Sequence, residues 1–557
     1  GGAYAPRRLS WYPGGLAWQF DALCSREIGR DPQHARLKAR LVWLQGLGAL
    51  TRQEAVSMIP PLFLDVKPGH SVLDLCAAPG SKASQLVELM RGGGGDGGDD
   101  DGDDDAWPRG TVVANEIDAQ RTEVLTHMLN RLGSPTVVVV NLDARYFPNC
   151  VGAESEDGSG GLPLQFDRVL ADVPCSGDGT LRKSAGLWAK WRPREALALH
   201  PRQYAILCRG LELLRPGGRL VYSTCSLNPV EDEAVVAAAL RRYGGSVVLA
   251  EPPYLEGLKG RAGLPAWSVP HPEDGSTCWS RPEDVPAEVL PSLPLSSFAP
   301  VPTSADGRSW AGVCSRCRRF LPQDAQSGGF FAAVLEKVEE LPAVQGPRAH
   351  EAECPGQSFV GAGASHADVG LCATAEPEAL PCTSADAAAC EHTGRDQEEL
   401  GTQKDADEAR TTADGDPGSS ATARKRLTRR EKRLARPLQR ICDYEQVSSD
   451  DPSWRDAAAF FGLDPALAAE LWRKQACDKR LYLASDGAAR FLAARAPFRL
   501  RLQAGVRVLE RLGEGREGGP STWRLAQEGL PLLLRRGLRR RLALGQARAL
   551  ELQGAPE

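Results

Sequence analysis

The sequence lacks any apolar run approaching the roughly 18 to 20 residues that a membrane-spanning helix needs. We therefore expect no association with a membrane. An internal repeat is also absent. The 557 residues, of which 42% are hydrophobic, are enough for several globular domains. Because the chain begins with Gly1-Gly2 and not with methionine, we expect residues to be missing from its start.

A disulfide framework is not indicated either. The 15 cysteines are irregularly spaced along a long chain, and several lie within apolar, strand-like runs. This pattern favours a reducing compartment. Cys314-Ser315-Arg316-Cys317 has half the spacing of a zinc site, but no second Cys or His pair lies nearby. We therefore expect no metal.

Acidic residues are unevenly distributed, so the net charge of −5 conceals a basic remainder. Seven aspartates lie within residues 92–105, and residues 341–420 carry 15 acidic against four basic side chains. Outside these two segments, basic residues exceed acidic ones by 13. Clusters such as Arg535–Arg541 and the Arg- and Lys-rich run 424–433 suit a polyanionic partner. Any single cluster fits a solvated face or a nuclear-import signal equally well, and only their sum favours nucleic acid.

From Ser71 onward, short apolar runs alternate with longer amphipathic segments, which indicates a parallel, doubly wound α/β sheet. The predicted strands are 72–75, 112–115, 137–140, 169–172 and 220–223, with a late edge strand at 329–335. The predicted helices are 81–90, 119–132, a helix around 204–214, and 231–241. A turn is predicted at Pro216-Gly217-Gly218.

Four regions follow from this pattern. We expect residues 1–70 to form a helical segment that contacts RNA, with a helix at 52–59 that ends at Pro60-Pro61. Residues 71–338 are predicted to form the α/β domain. Residues 339–430 are predicted to be a disordered linker with a basic end, and residues 431–557 a second folded module. The Gly-Asp stretch 92–105 falls between the first helix and the second strand of the α/β domain. We therefore expect a disordered surface insertion there.

Small and acidic residues follow the predicted strands. The turn Cys76-Ala77-Ala78-Pro79-Gly80-Ser81-Lys82 lacks GxGxxG spacing, yet it allows a ligand close to the backbone at a helix N-terminus. Glu116, Asp143 and Asp172 lie at successive strand ends, where doubly wound folds bind ligands. A carboxylate at the second strand typically binds ribose hydroxyls. The sequence therefore predicts an adenosine cofactor.

Two further motifs follow later strands, and each contains a cysteine: Asp172-Val173-Pro174-Cys175-Ser176-Gly177-Asp178-Gly179-Thr180 and Tyr222-Ser223-Thr224-Cys225-Ser226-Leu227-Asn228-Pro229. Together with the turn 76–82, they resemble the Sun-domain family of RNA cytosine-5 methyltransferases. The segments 52–60 and 327–331 fit the family too. The spacing across residues 51–335, with Trp11-Tyr12-Pro13 before it and residues 524–529 after it, most resembles the eukaryotic tRNA-methylating branch. The resemblance implies a Rossmann-like methyltransferase domain, S-adenosyl-L-methionine as cofactor, and a C-terminal α+β RNA-binding-like module. It also implies a nuclear and nucleolar location, with a cytoplasmic fraction left open.

The resemblance implies roles for individual residues. Cys76 to Lys82, with Glu116, Asp143 and Asp172, would bind the cofactor. Glu116 departs from the Asp of that branch but offers the same bidentate acceptor. Cys225 would attack carbon 6 of cytosine, and Cys175 would assist release. Asp172 would hydrogen-bond the cytosine edge, and Lys82 would orient the base or lower a thiol pKa.

A reachable cytosine must be unpaired or flipped, and RNA loops meet that condition, so RNA is the expected partner. The resemblance implies tRNA in particular. Three alternatives stay open. An rRNA methyltransferase would share the same domain. A non-catalytic RNA-binding scaffold would have no need of both thiols. A DNA cytosine methyltransferase would use the Pro-Cys thiol as nucleophile, so that Cys175 and Cys225 would exchange roles.

Deleting residues 92–105 should leave cofactor affinity within about twofold of wild type, or roughly 0.4 kcal/mol. Seven mutually repelling aspartates have no means of packing into a core. Isothermal titration with S-adenosylmethionine measures the effect. A tenfold loss would show that the insertion shapes the site.

Overall fold

The computed structural model describes residues 5–21, 23, 25–91, 109–151, 162–182, 186–300, 309–342, 444–474, 477–493, 503–511, 523–535 and 538. The predicted insertion 92–105 and almost all of the predicted linker 339–430 lie outside these residues.

The structure contains short and long strands along the whole described chain. They are β1 (Arg7–Arg8), β2 (Trp18–Gln19), β3 (Ser71–Asp74), β4 (Thr111–Asn115), β5 (Val137–Val140), β6 (Cys150–Val151), β7 (Leu162–Pro163), β8 (Phe166–Asp172), β9 (Leu214–Thr224), β10 (Val247–Ala250), β11 (Arg261–Ala262), β12 (Val269–Pro270), β13 (Cys278–Trp279), β14 (Arg318–Phe320), β15 (Phe330–Lys337), β16 (Tyr444–Gln446), β17 (Leu471–Lys474), β18 (Cys477–Leu483), β19 (Gln503–Ala504), β20 (Val506–Arg511) and β21 (Trp523–Leu525).

The α-helices range from one turn to about six. They are α1 (Ser25–Arg30), α2 (Ala35–Gly46), α3 (Ile59–Phe63), α4 (Ser81–Met90), α5 (Ala119–Asn130), α6 (Leu187–Lys190), α7 (Pro193–Leu213), α8 (Glu233–Tyr243), α9 (Trp310–Cys314), α10 (Pro322–Ala325), α11 (Pro452–Phe461), α12 (Asp486–Ala493) and α13 (Leu530–Arg535).

A mixed sheet forms the centre of the α/β domain. Its order is β11-β14-β15-β9-β8-β3-β4-β5-β19, and β10 also pairs with β15. The five strands from β9 to β5 run parallel, whereas β15 and β19 pair antiparallel with their neighbours β9 and β5. The all-valine strand β5 is buried along its length, as expected for a sheet covered on both faces. The predicted doubly wound core is confirmed.

Alternate residues of the parallel strands pack into two separate cores. Leu73 and Val113 face a cluster with α7 and α8, whereas Val72 and Val112 face a cluster with α4 and α5. Successive strand side chains point to opposite faces, so each strand contributes to both cores. Helices on both faces leave the carboxyl ends of the parallel strands together at one edge.

Three local predictions were wrong. Pro60-Pro61 does not end a helix, because α3 begins at Ile59 and both prolines lie in its first turn, where a missing N–H costs nothing. The segment 1–70 is not wholly helical, because β1 and β2 form a small antiparallel pair. The late strand β15 is not an edge strand: it pairs with β9 on one side and with β14 and β10 on the other.

Two other elements are longer than predicted. Helix α7 begins at Pro193 and continues through Pro201, which removes one backbone hydrogen bond from a helix whose second half is almost entirely buried. Strand β9 begins at Leu214, so the predicted turn 216–218 lies within the strand. These exposed residues coincide with a register shift in the pairing of β9 with β8.

The C-terminal module is a five-stranded antiparallel sheet of order β16-β17-β18-β20-β21, with α11 and α13 packed into its core. The predicted α+β architecture is confirmed. The module also contacts the α/β domain directly. β19 pairs with β5, and the buried hydroxyl of Ser485 donates to the carbonyl of Gly110 at 2.9 Å. Ala488 and Phe491 of α12 share a core cluster with Val138 and Val140.

No helix in the described part of the chain is both long enough and apolar enough to cross a membrane.

Because this shared core joins the two parts, we expect Phe491→Ala to destabilise both together. Removing a buried phenylalanine costs about 3–5 kcal/mol. Differential scanning calorimetry should show one unfolding transition in wild type that moves to lower temperature in the variant. Two transitions, of which the variant shifts only one, would contradict a shared core.

Candidate active site

The carboxyl ends of the parallel strands carry the residues that the sequence analysis singled out. Asp172 is the last residue of β8, and Cys225 directly follows β9. Glu116 directly follows β4, and the turn 76–82 begins two residues after β3. Parallel pairing places these ends at the same edge, so the structure brings the predicted residues together as expected.

The two motif cysteines are in contact. The Sγ atoms of Cys175 and Cys225 lie 3.2 Å apart, and both thiols are free. Their loops are joined by the backbone: the N–H of Val173 donates to the carbonyl of Ser223 at 3.1 Å, and the N–H of Gly179 donates to the carbonyl of Cys225 at 3.0 Å. A Cβ atom on Gly179 would lie 2.5 Å from the Cys225 carbonyl oxygen, so this approach requires glycine.

The contact between the two sulfurs acts on the pKa of Cys175. Its hydrogen bond to Cys225 is the largest cause that raises the pKa of the Cys175 thiol well above its ordinary value, and burial adds to the effect. The raised pKa favours the protonated form of Cys175, which can donate to the Cys225 sulfur. This arrangement leaves Cys225 as the sulfur available for nucleophilic attack.

Lys82 provides a positive charge beside the thiols. Its Nζ lies 2.7 Å from Asp172 Oδ2 and donates to Ser57 Oγ at 2.6 Å. Burial would lower the pKa of Lys82, but the charge and hydrogen bond of Asp172 raise it, and an ionised Cys225 adds to the increase. Lys82 is therefore an ammonium group beside Cys225. Asp172 is held in turn by a 2.7 Å hydrogen bond from Ser223 Oγ.

The turn between β3 and α4 has the shape of a ligand cradle. Gly80 has a φ of 113°, and a Cβ atom there would lie 3.0–3.2 Å from side-chain atoms of Met128 and Leu125, so the position suits glycine. The amide of Ala77 donates to the carbonyl of Asn115 at 2.7 Å, which joins the turn to the end of β4.

A buried carboxyl lies beneath this cradle. Asp74 Oδ1 accepts a 3.3 Å hydrogen bond from the Cys76 amide, and Oδ2 has no hydrogen-bond partner among the residues that the structure describes. Burial, followed by the charge of Asp172, raises the pKa of Asp74 to about 8. Asp74 is therefore a neutral acid at pH 7. Burial likewise raises the pKa of the Cys76 thiol.

Two carboxylates follow the next strands. Glu116 is almost fully buried, accepts from the Asp118 amide at 2.9 Å, and has its pKa raised by burial. Burial would also raise the pKa of Asp143, but hydrogen bonds from Arg145 lower it. The adjacent Ile117 leaves 62% of its surface exposed.

These features fit an adenosyl cofactor. Gly80 allows close approach, Asp74 Oδ2 is a buried polar atom with no described partner, and Ile117 offers exposed apolar surface beside Glu116 for an aromatic ring. Sequence reasoning missed Ile117, although its position directly after a strand-end acid could have indicated it.

Sequence reasoning also missed a group of three consecutive buried acids, Glu231, Asp232 and Glu233. Asp232 Oδ1 accepts from Thr224 Oγ1 at 2.6 Å, and Glu233 Oε1 accepts from Arg319 Nε at 2.7 Å. Three adjacent acids at the start of an apolar helix are unusual, and this pattern could have been noticed. No sequence pattern indicated Ser57, whose hydroxyl accepts a hydrogen bond from Lys82.

No group of three or more His, Cys, Asp or Glu side chains in the described ranges is arranged to hold a metal ion. Cys314 and Cys317 are both buried free thiols.

Two protein families match this chain. Residues 61–336 match the family described as "16S rRNA methyltransferase RsmB/F", and residues 444–536 match the one described as "NSUN2 Pre-PUA domain".

Curated relatives include two eukaryotic tRNA methyltransferases. The chain is 44% identical over 337 residues to the tRNA (cytosine(34)-C(5))-methyltransferase of Drosophila melanogaster, covering 60% of this chain and 43% of that protein. It is 43% identical to the multisite-specific tRNA:(cytosine-C(5))-methyltransferase of Saccharomyces cerevisiae, covering 60% and 46%. Ribosomal RNA small subunit methyltransferase F of Serratia proteamaculans is 36% identical, covering 40% of each chain. The matched region spans less than half the length of each relative.

Among solved structures, the chain resembles "NSun6 from Pyrococcus horikoshii with SFG" at 23% identity. The TM-score is 0.36, with 53% of this chain and 55% of that one covered.

The neutral Asp74 predicts a pH dependence of stability. Its pKa is raised in the folded state, so its contribution is present at low pH and is lost as pH rises through about 8. Wild type should lose about 1.4 kcal/mol per pH unit from this group between about pH 4 and pH 8, and the loss should level off above pH 8, where the folded and unfolded states are both deprotonated. Asp74→Asn, which does not titrate, should lack that component. Thermal melts of both proteins from pH 6 to 9.5 measure the difference, and parallel curves would contradict a raised pKa.

Proposed function

We propose that the chain, whose residues 61–336 match the RsmB/F methyltransferase family, methylates carbon 5 of cytosine in tRNA through a covalent bond to Cys225. One observation carries the proposal: two free thiols lie 3.2 Å apart at the ends of adjacent parallel strands. Lys82 and Asp172 form an ion pair beside them. Hydrophobic packing alone does not require two free thiols in contact beside an ion pair.

S-adenosyl-L-methionine, when bound, supplies an electrophilic methyl group on a sulfonium sulfur. The turn Cys76–Lys82 would hold it, with Glu116 and Asp143 as hydrogen-bond acceptors and Ile117 as apolar surface. The neutral Asp74 beneath the turn adds a hydrogen-bond donor without adding charge.

Carbon 5 of cytosine is a weak nucleophile until a group adds to carbon 6. The Cys225 thiolate donates an electron pair to carbon 6 and forms a sulfur–carbon bond. The negative charge is thereby transferred into the ring, towards carbon 5. The Cys175 thiol and the Lys82 ammonium stabilise the thiolate before attack. Asp172 accepts a hydrogen bond from the cytosine edge and holds Lys82 in place.

Release returns the two sulfurs to their starting state. Once Cys225 is bonded to carbon 6, its charge no longer holds the proton on Cys175, so the largest cause of the raised Cys175 pKa is gone. Cys175 then loses its proton to solvent, which accounts for the one proton that the reaction releases. The Cys175 thiolate takes the proton from carbon 5, the carbon 5–carbon 6 double bond re-forms, and Cys225 leaves as a thiolate.

The substrate must present an unpaired cytosine, because carbon 6 is out of reach in a stacked helix. The loops of tRNA meet this condition. Two of the relatives named above act on tRNA, according to their names, and their similarity covers more of this chain than that of the rRNA enzyme. In this proposal the C-terminal module, which matches a Pre-PUA domain, contacts the RNA.

The second candidate substrate is rRNA. The family description itself favours it, since it names 16S rRNA methyltransferases. Faster methylation of rRNA fragments than of tRNA transcripts in vitro would support this second candidate over the first.

We also propose a nuclear location, chiefly nucleolar, with a cytoplasmic fraction. The Arg- and Lys-rich run 424–433 supports nuclear import. Fluorescence microscopy of the tagged chain tests this, and loss of nuclear signal when the run is replaced by Gln is the expected result.

The unequal roles of the thiols predict unequal variants. Cys225→Ala should abolish both methylation and any covalent complex. Cys175→Ala should attack and methylate once but fail to release, so that tRNA and protein migrate together on a denaturing gel. The double variant should form no complex. A complex formed by Cys225→Ala and absent from Cys175→Ala would reverse the assignment and favour the mechanism of DNA cytosine methyltransferases.

A further inference from the structure

Glu231 is fully buried directly behind the two thiols, and its carboxylate accepts four hydrogen bonds. The donors are Ser176 N at 2.8 Å, Ser176 Oγ at 2.5 Å, Ser226 Oγ at 2.8 Å and Gln203 Nε2 at 3.0 Å. Four donors stabilise a buried carboxylate strongly enough to keep it in one position.

The donors belong to the segments that carry the sulfurs. Ser176 directly follows Cys175, and Ser226 directly follows Cys225. Gln203 Nε2 also donates to the carbonyl of Pro174 at 2.9 Å, on the other side of Cys175. A single side chain therefore links both loops.

The two loops do not depend on Glu231 equally. The Cys225 loop has other attachments: Thr224 pairs with Phe331 of β15, and Thr224 Oγ1 donates to Asp232. The carbonyl of Cys225 accepts from Gly179. The Cys175 loop is also attached at its two ends, through the amides of Val173 and Gly179. The hydrogen bonds described above for the two residues that directly flank Cys175, however, lead to Glu231, directly or through Gln203.

We propose that Glu231 is a positioning residue that holds the Cys175 thiol against the Cys225 sulfur for the release step. The inference rests on the proposed function, since it assigns a partner to a residue of that mechanism. Glu231 does not reach the substrate in this account; it acts only through the backbone and side chain of Ser176 and through Gln203.

The charge of Glu231 has a separate effect on the resting site. After the hydrogen bond to Cys225 and burial, the negative charge of Glu231 is a further cause that raises the pKa of Cys175. It therefore helps keep the proton on Cys175 in the resting site. An amide at position 231 would remove this charge. Its NH2 group would also face two of the four donors, because each carboxylate oxygen accepts from two of them; the hydrogen bonds on that side would be lost or, where the donor is a hydroxyl, reversed.

The test is the multiple-turnover rate and the amount of covalent tRNA complex for Glu231→Gln. We expect the turnover rate to fall by at least about tenfold, or about 1.4 kcal/mol, while the trapped complex increases above wild type. A residue that serves only the stability of the fold would lower both. A loss of turnover with no increase in complex therefore contradicts the proposal.

Ser176→Ala and Ser226→Ala form a matched pair, because each removes one hydrogen bond to Glu231 Oε2. Ser176→Ala should accumulate the complex, and Ser226→Ala should not. This pair keeps the test decisive even if Glu231→Gln fails to fold. Equal accumulation in both variants would show that Glu231 does not favour the Cys175 loop.

Glu233→Gln is the control for a buried acid of the same segment, since Glu233 pairs with Arg319 and has no described contact with Ser176. It should lower thermal stability without accumulating the complex.

In a Cys175→Ala background, Glu231→Gln should have no further effect on the amount of complex. A further effect there would show that Glu231 acts by another route. Absence of any complex in Cys175→Ala itself would refute the proposed function and not the role of Glu231.

Discussion

The contact between the Cys175 and Cys225 sulfurs is the interaction on which the rest of the site depends. It follows from the register of two parallel strands, in which Asp172 at the end of β8 lies opposite Ser223 near the end of β9. A shift of one residue would move every side chain of β9 to the other face. The burial of β8 and β9 in the double-sided core fixes that register, so the sheet sets the distance between the thiols.

Charge is arranged around this contact in two groups. On the cofactor side, the pair of Lys82 and Asp172 places a cation beside Cys225. On the opposite side, the carboxylate of Glu231 lies behind Cys175. One sulfur is thus next to a positive charge and the other next to a negative charge, and the negative charge contributes to the raised pKa of the Cys175 thiol. Burial strengthens both effects, because the local dielectric is low.

Much of this could be predicted from the sequence, because apolar runs and strand-end acids are local patterns. Strand Val137–Val140 and helix Ser81–Met90 have the predicted bounds, and residues 61–336, which contain the two cysteine motifs, match the RsmB/F methyltransferase family. Pairing was harder to predict. The segment 330–337 reads as a strand, but its position between β9 and β14 depends on residues far away along the chain.

The buried polar residues were the least predictable. Glu231 looks like the start of a solvated helix, because acidic residues are common in a first turn. Its burial is apparent only once Ser176, Gln203 and Ser226 surround it. Ser57 likewise gains its role only when Lys82 is placed beside it.

Bisulfite sequencing of tRNA incubated with this protein and S-adenosylmethionine tests the central claim most directly. The account predicts protected cytosines at defined loop positions with the wild-type chain and none with Cys225→Ala. Protection that persists in Cys225→Ala, or that is absent from wild type when binding of both cofactor and tRNA is demonstrated, would contradict it.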